Sequence, residues 1–476
     1  MEHLGARSLT FQGNRSDSAP MTWGQRAIWK SIRWLDEGAH YFNIRRVMPV
    51  PGTLTTDQVI AALEALLTRH EALRTRFHES HDAWTQEVAA TGTLPVELVA
   101  APPGTAREVA EDIGKQLVGR NFHHAREFPF RCTLVLEQDR PAFVVLVFSH
   151  LGVDFWGVRE LERDLRALLG GETTDAPDWQ PLDQAGFETE GPGAARGAAS
   201  VEYWRRTLRT VPPTLFPQVG DEARPGRFVR LGMDSPATAV AATALAERCQ
   251  VSTGTVLLAA TAAVLGAYTG HGTVALQLIA VNRHDDRTRR LVAAMAENAL
   301  FALQIGDGTF DEAVRRTFLA GMNAYRHAVY DPLAVDEVLA EARELSDGRL
   351  NLGCFFNDKR MQDRWESLPA IDGSADELRA LTEKTEISPV GTWERQDATF
   401  FLHTAYAPDT CLLYVMADTD LIPEPDIARL LRSFESLLVD SAAAPLALAE
   451  FRAGSPRPAA RPGPDSTAPN SGGNPR

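Results

Sequence analysis

A histidine and an aspartate four residues apart, His150 and Asp154, stand in the segment FVVLVFSHLGVDFWGVRELERDL. They are the part of the chain whose types and spacing look like chemistry. An imidazole with a pKa of about 6.5 is neutral near pH 7, so it can accept a proton from an attacking group or hydrogen-bond and orient it. The run Phe143 to Phe148 is β-branched and aromatic, which predicts a buried strand delivering His150 to its end. After the aspartate, Val158, Leu161, Leu165, Leu168 and Leu169 recur at helical spacing. Strand, tight loop and amphipathic helix follow, and such a loop holds a histidine while leaving it reachable.

Other constellations have plainer readings. Ser149, His150 and Asp154 suggest a serine hydrolase, but neighbouring side chains on a strand point to opposite faces and no G-x-S-x-G elbow is present. His123 and His124 with Glu127 mimic a metal pair without a third ligand, so a surface or core role is expected and no metal site. Cys132, Cys249, Cys354 and Cys411 lie far apart with no C-x-x-C, which predicts reduced, buried thiols. GPGAARG lacks the strand-to-helix setting of a dinucleotide fingerprint and reads as a loop. Trp23, Trp29 and Trp34 read as packing on one helix.

At 476 residues the chain exceeds one ordinary core, so two domains are expected. A formal charge of -15 argues against a general nucleic-acid or anionic-membrane binder. The opening residues lack the apolar core of a signal peptide and Val256 to Tyr268 is too short to span a bilayer, which together predict a cytoplasmic protein. Residues 1–20 read as a disordered arm, 21–185 as an α/β lobe, 186–451 as a second lobe, and 452–476 as a disordered Pro/Gly-rich tail. The first lobe opens with the helical pattern MTWGQRAIWKSIRWL and continues with a helix capped by Thr55 and Gln58. Strands follow near 96–98, 132–137 and 142–148, and the stretch from Gly171 to Ala199 reads as a mobile crossing. In the second lobe Ser235 caps a helix with Pro236 first, another helix runs from Thr253 to Tyr268, and VNRHDDRTRR reads as an exposed loop.

The segment SHLGVDFWG resembles the HHxxxDGWS motif of the condensation domains of non-ribosomal peptide synthetases, members of the chloramphenicol-acetyltransferase-like superfamily. RHEALRTRF from Arg69 to Phe77 is similar to that family's RHExLRTxF about 80 residues upstream, and MTWGQRAIWKSI resembles its opening helix. YFNIRRVMPVPGTL, EYWRRTL, VSTGTVLLAATAAVLGAYTG, the Arg283 loop, ENALFAL and TDLIPEPDIARLLRSF resemble further landmarks, so the resemblance spans about Met21 to Leu446. It implies two acyltransferase-like α/β lobes forming a V-shaped pseudo-dimer with a central tunnel. An amine or hydroxyl would attack a donor thioester there, the substrates arriving on phosphopantetheine arms of carrier proteins with no tightly bound cofactor. His150 takes the catalytic position. Asp154 takes a structural one, paired with an arginine, for which Arg69 and Arg74 are the candidates. Ser149, Gly152, Phe155, Trp156, Gly157, Arg283 and Asn298 are candidates for lining the substrate path.

Departures from the motif matter as well. Ser149 replaces the first histidine, Phe155 the glycine after the aspartate, and Gly157 the serine after the tryptophan. Phenylalanine at 155 adds a ring and disfavours the positive φ that glycine permits. The family's YxDYAVW is matched only by LDQAGFETE, and its VNT by Glu297-Asn298-Ala299. Three functions are consistent with these residues: a free-standing, monomeric condensation enzyme served by carrier proteins in trans, a silent condensation-like module that binds a carrier or recruits a tailoring enzyme, and an acyltransferase using a soluble acyl-CoA.

Overall fold

A computed structural model of the chain describes residues 2–454, except 82, 173–176, 217–221, 361–362 and 371–373. Of the expected disordered tail 452–476, residues 452–454 end a helix (Leu448–Gly454), and those from 455 onward lie outside the described residues. The chain divides into two compact units, the first made of residues 1–209, 279–300 and 324–345, the second of 210–278, 301–323 and 346–476. The division falls at 209/210 rather than 185/186, and two segments from the second half return to the first unit.

Among the described residues, the strands that lie wholly in the first unit are β1 (Glu2–Gln12), β2 (Asp17–Pro20), β3 (Asn43–Pro49), β4 (Thr75–Glu79), β5 (Trp84–Val88), β6 (Thr91–Ala101), β7 (Phe130–Glu137) and β8 (Arg140–Ser149). They form a five-stranded sheet of order β1-β6-β7-β8-β3 and a three-stranded sheet of order β2-β5-β4. Of residues 1–20, expected to be a disordered arm, 2–12 and 17–20 are strands. Glu2 to Gln12 pair along β6, and Leu9 and Phe11 alternate into the core at 0% and 5% exposure. An edge strand this polar shows its period only when its partner is known.

Before residue 210 the α-helices of this unit are α1 (Trp23–Leu35), α2 (Thr56–Arg69), α3 (Ala106–Val118), α4 (Phe155–Leu169), α5 (Pro181–Thr189) and α6 (Gly191–Leu208), and its returning segments add helices over Asp286–Arg289 and Pro332–Leu345. Thr55 and Gln58 form the expected capping box on α2, and Thr22 with Gln25 form another on α1. The stretch read as a mobile crossing is largely α5 and α6, so GPGAARG is the start of a helix rather than a loop. Its glycines serve close packing: a Cβ at Gly193 would lie 1.9 Å from the Phe187 carbonyl oxygen, and one at Gly197 2.4 Å from the Trp23 ring. Gly193→Ala should therefore destabilise the protein by roughly 1–3 kcal/mol through overpacking. Urea denaturation measures this, and an unchanged midpoint would show that α5 and α6 can part without cost. Further along α6, Tyr203 stacks on His327 at 4.5 Å and donates to the Leu300 carbonyl at 2.8 Å, which holds both returning segments to the first unit.

The second unit is built on a seven-stranded sheet of order β11-β10-β12-β14-β15-β9-β13, whose strands belong to it wholly or in part. They are β9 (Phe228–Ser235), β10 (Thr273–Ala280), β11 (Glu297–Gln304), β12 (Cys354–Asp358), β13 (Glu386–Trp393), β14 (Phe400–Ala405) and β15 (Cys411–Asp418). Its core helices are α7 (Pro236–Cys249) and α8 (Thr253–Thr269), with the Ser235 hydroxyl accepting from the Thr238 N–H at 2.9 Å as the N-cap. No single helix among the described residues is long and apolar enough to cross a membrane. The four cysteines are free and buried.

Candidate functional site

β8 is buried from Val144 to Ser149, where it lies inside its sheet between β7 and β3. His150 follows its last residue, and Asp154 is the N-cap of α4. The turn between them is held by backbone bonds on three sides. Ser149 N–H donates to Pro129 at 3.1 Å, His150 N–H to Phe42 at 3.0 Å, and Asp154 N–H to Ala293 at 3.2 Å. Leu151, Val153 and Asp154 are 2% exposed or less. His150 itself is partly exposed, while its Nδ1 is buried with no hydrogen-bond partner among the described residues. Its ring lies edge-on to Phe42 at 6.4 Å. Desolvation pushes the imidazole pKa below the usual histidine value, with the charge of Asp154 pulling weakly the other way.

Asp154 is fully engaged. Its Oδ1 accepts from Gly157 N–H at 2.8 Å and from Arg283 Nη2 at 2.9 Å, and its Oδ2 accepts from Arg283 Nη1 at 2.8 Å and Met295 N–H at 3.0 Å. Arg283 extends the link by donating through Nη2 to the carbonyl of Leu291 at 2.9 Å. One carboxylate thus closes the start of α4 onto the loop from 281 to 295. An arginine partner was expected, but it is neither Arg69 nor Arg74. Arg69 Nη1 approaches Asp164 at 3.5 Å beside the closer His70 contact at 2.9 Å, while Arg74 Nη1 donates to the Ala89 carbonyl at 2.6 Å. Asp164 is ten residues along α4, about 15 Å by helical rise, so the arginine at the end of α2 meets a different turn of the helix. Arg283, read as part of an exposed loop and a substrate-path candidate, is buried on Asp154 instead.

The other candidates fall around this centre. A Cβ at Gly152 would come within 2.9 Å of Pro129 and 3.4 Å of the Ala72 carbonyl, so the loop packs directly against the RHEALRTRF segment. Gly157 lies in the first turn of α4, where a Cβ would meet Val153 at 2.6 Å. Any serine there would need that contact to give. Phe155 opens α4 without positive φ, and its ring is 46% exposed beneath Arg46 at 5.3 Å. The helical backbone at 155 therefore removes the expected need for glycine. Trp156 is partly exposed, with Arg159 5.8 Å from its ring. Asn298 is on β11 and accepts at its carbonyl from the Tyr330 hydroxyl at 2.7 Å; its side chain makes no bond to the His150 turn among the described residues.

Two features escape the sequence reading. His124 Nε2 lies 2.8 Å from the hydroxyl of Ser149, although nothing in the order of residues links them. Glu188 and Glu297 are buried near one another, and burial raises the pKa of Glu188 to about 7 and that of Glu297 well above its usual value. Among the described residues no group of three or more histidines, cysteines and carboxylates could hold a metal.

Histidines desolvated by the fold give stability a pH dependence. Burial lowers the His124 pKa to about 4 and the His403 pKa to about 3, against about 6.5 unfolded. Below 6.5 the unfolded chain binds more protons, so this stability is present above pH 6.5 and lost as pH falls towards 4. Glu188 runs the other way, its contribution being present below about pH 4.3 and lost as pH rises through 7. Melting temperature measured from pH 7.5 to 4 should fall on the acid side, more shallowly in His124→Phe. Equal slopes in the two proteins would exclude His124 as a source.

A model of the condensation domain matches residues 15–440. The isonitrile lipopeptide synthase of Mycobacterium tuberculosis is 27% identical over 335 residues, which are 66% of this chain and 13% of that protein. The phosphinothricin tripeptide synthetase PhsC of Streptomyces viridochromogenes is 29% identical over 205 residues, 41% of this chain and 19% of that protein. The chain thus spans less than a fifth of these curated relatives. Among solved structures, a condensation domain that mediates chain release from the enacyloxin polyketide synthase superposes with TM-score 0.66 at 19% identity, covering 90% of this chain and 83% of that one. The X-domain from teicoplanin biosynthesis gives TM-score 0.66 at 20% identity, covering 92% and 98%.

Proposed function

Because the chain belongs to the condensation-domain family, we propose that it forms an amide or ester by passing an acyl or aminoacyl group from a carrier-bound thioester to an amine or hydroxyl. The observation that carries this reading is His150, partly exposed at the end of a buried strand and held neutral by its surroundings. With Nδ1 buried, Nε2 is the nitrogen left to meet a substrate. A neutral Nε2 can accept a proton from the attacking amine as its nitrogen bonds to the thioester carbon. The carbon–sulfur bond then breaks, and the proton passes to the departing thiolate, so the products are an amide and a free thiol. Holding donor and acceptor together supplies much of the acceleration. Asp154 takes no proton in this scheme: all its lone pairs are committed to Arg283 and two backbone amides, and it keeps the turn in place.

Donor and acceptor are supplied by partners, with carrier proteins presenting thioesters on phosphopantetheine arms. The test is reconstitution with acyl- and aminoacyl-loaded carrier proteins, product being read by mass spectrometry in the native protein and in His150→Ala. Product that depends on His150 supports the reading. Turnover unaffected by His150→Ala would overturn it, and no turnover of any thioester together with carrier retention indifferent to His150 would assign a silent binding module.

A further inference from the structure

We propose that His124 is a positioning residue for His150, acting through the hydroxyl of Ser149. The proposal rests on the reading of His150 as the proton acceptor. Ser149 is 1% exposed and is the residue on which the turn closes. Its carbonyl accepts the N–H groups of Gly152 at 3.0 Å and Val153 at 3.3 Å, and its Oγ accepts the Leu151 N–H at 3.3 Å. These bonds bracket His150 on both sides. Since the Leu151 amide can only donate, the hydroxyl hydrogen is free to be given to His124 Nε2, 2.8 Å away. That requires the tautomer with its hydrogen on Nδ1 and its lone pair on Nε2, and burial, which lowers the His124 pKa to about 4, keeps the imidazole neutral at pH 7 so that this tautomer is available.

The imidazole of His124 is itself fixed. It meets Trp29 of α1 edge-on at 5.6 Å and Phe77 of β4 at 6.3 Å, and lies tilted against Phe122 at 6.1 Å. Its backbone carbonyl accepts the Phe77 N–H at 3.0 Å. A ring so enclosed can set the rotamer of Ser149, and through the Leu151 amide the path of the chain across His150. A surface or core role was the expectation for His123 and His124; for His124 the structure adds a bond to the residue beside the proposed proton acceptor.

Three substitutions separate positioning from packing. Ser149→Ala removes the hydroxyl, His124→Phe keeps an aromatic ring but removes the acceptor, and His124→Gln restores a polar group at similar reach. Ser149→Ala and His124→Phe should each lower kcat about five- to tenfold, the scale of one hydrogen bond, with KM within about twofold. The double variant should be no worse than either single one, because both break the same bond. His124→Gln should recover part of the loss. Independently of turnover, the rate at which diethyl pyrocarbonate modifies His150, mapped by mass spectrometry, should shift in both single variants and return towards native in His124→Gln. Additive losses in the double variant, or native His150 reactivity in both single variants, would overturn the proposal. Should His150→Ala keep its turnover, the function proposed above fails, while the reactivity measurement still decides whether His124 positions His150.

Discussion

Replacing Asp154 with alanine should unfold or severely weaken the first unit, because it strips four hydrogen bonds from a site that is 2% exposed and leaves Arg283 charged and unpaired. Losing one member of a buried, hydrogen-bonded ion pair typically costs about 3–5 kcal/mol. For a unit of this size that corresponds to a melting temperature lower by roughly 10 °C, at about 2–4 °C per kcal/mol. The fork of Arg283 is specific, so Arg283→Lys should lose most of the same stability while keeping the charge. A paired replacement, Asp154→Leu with Arg283→Met, should be less damaging than Asp154→Ala alone, since it removes both charges and refills the space. Thermal denaturation of the four proteins measures this. A native melting temperature for Asp154→Ala would mean that the link between α4 and the 281–295 loop contributes nothing to stability.

His150→Ala should lower kcat/KM by about 10²–10⁴-fold, the usual scale for a positioned proton acceptor, with the melting temperature little changed because the residue is partly exposed. The pH profile carries the sharper expectation. The folded-state pKa of His150 lies below the ordinary histidine value, so the unprotonated form prevails throughout neutral pH. kcat/KM in the native protein should therefore be level around pH 7 and fall only in acid, below about 6.5. That acid limb should be absent from any residual activity of His150→Ala. With a hydroxyl acceptor, which does not ionise in this range, a native profile still rising between pH 7 and 8 would place the essential proton acceptor elsewhere.

Much of the site's local form follows from short-range pattern. The apolar run from Phe143 to Phe148 and the helical spacing from Val158 to Leu169 are each complete within a dozen residues, and β8, the turn and α4 appear where those periods place them. Thr55 and Gln58 likewise announce α2 by a bond spanning three residues. The resemblance of the motif segments extended this to the family. It did not extend to the ion pair. Arg69 and Arg74 were attractive because their motif packs against the turn, and it does, at Gly152; yet their guanidinium groups face Asp164 and the Ala89 carbonyl. The N-terminal strand and the start of α6 were misread for a related reason. A polar edge strand acquires its meaning from β6, and glycines in GPGAARG are explained by Phe187 and Trp23 rather than by their own flexibility.

The order of residues by itself determined that a histidine sits at the end of a buried strand, four positions before the cap of an amphipathic helix, since those facts rest on bonds and periods between near neighbours. Only the tertiary structure decided that Asp154 closes on Arg283, 129 residues away, and that Ser149 meets His124, 25 residues away. Forty-eight lysines and arginines and twelve histidines were available, and local propensity does not distinguish among them. The choice is made when β8 is paired on both sides and the returning segment 279–300 bonds to the start of α4, which brings the Arg283 guanidinium to the buried carboxylate.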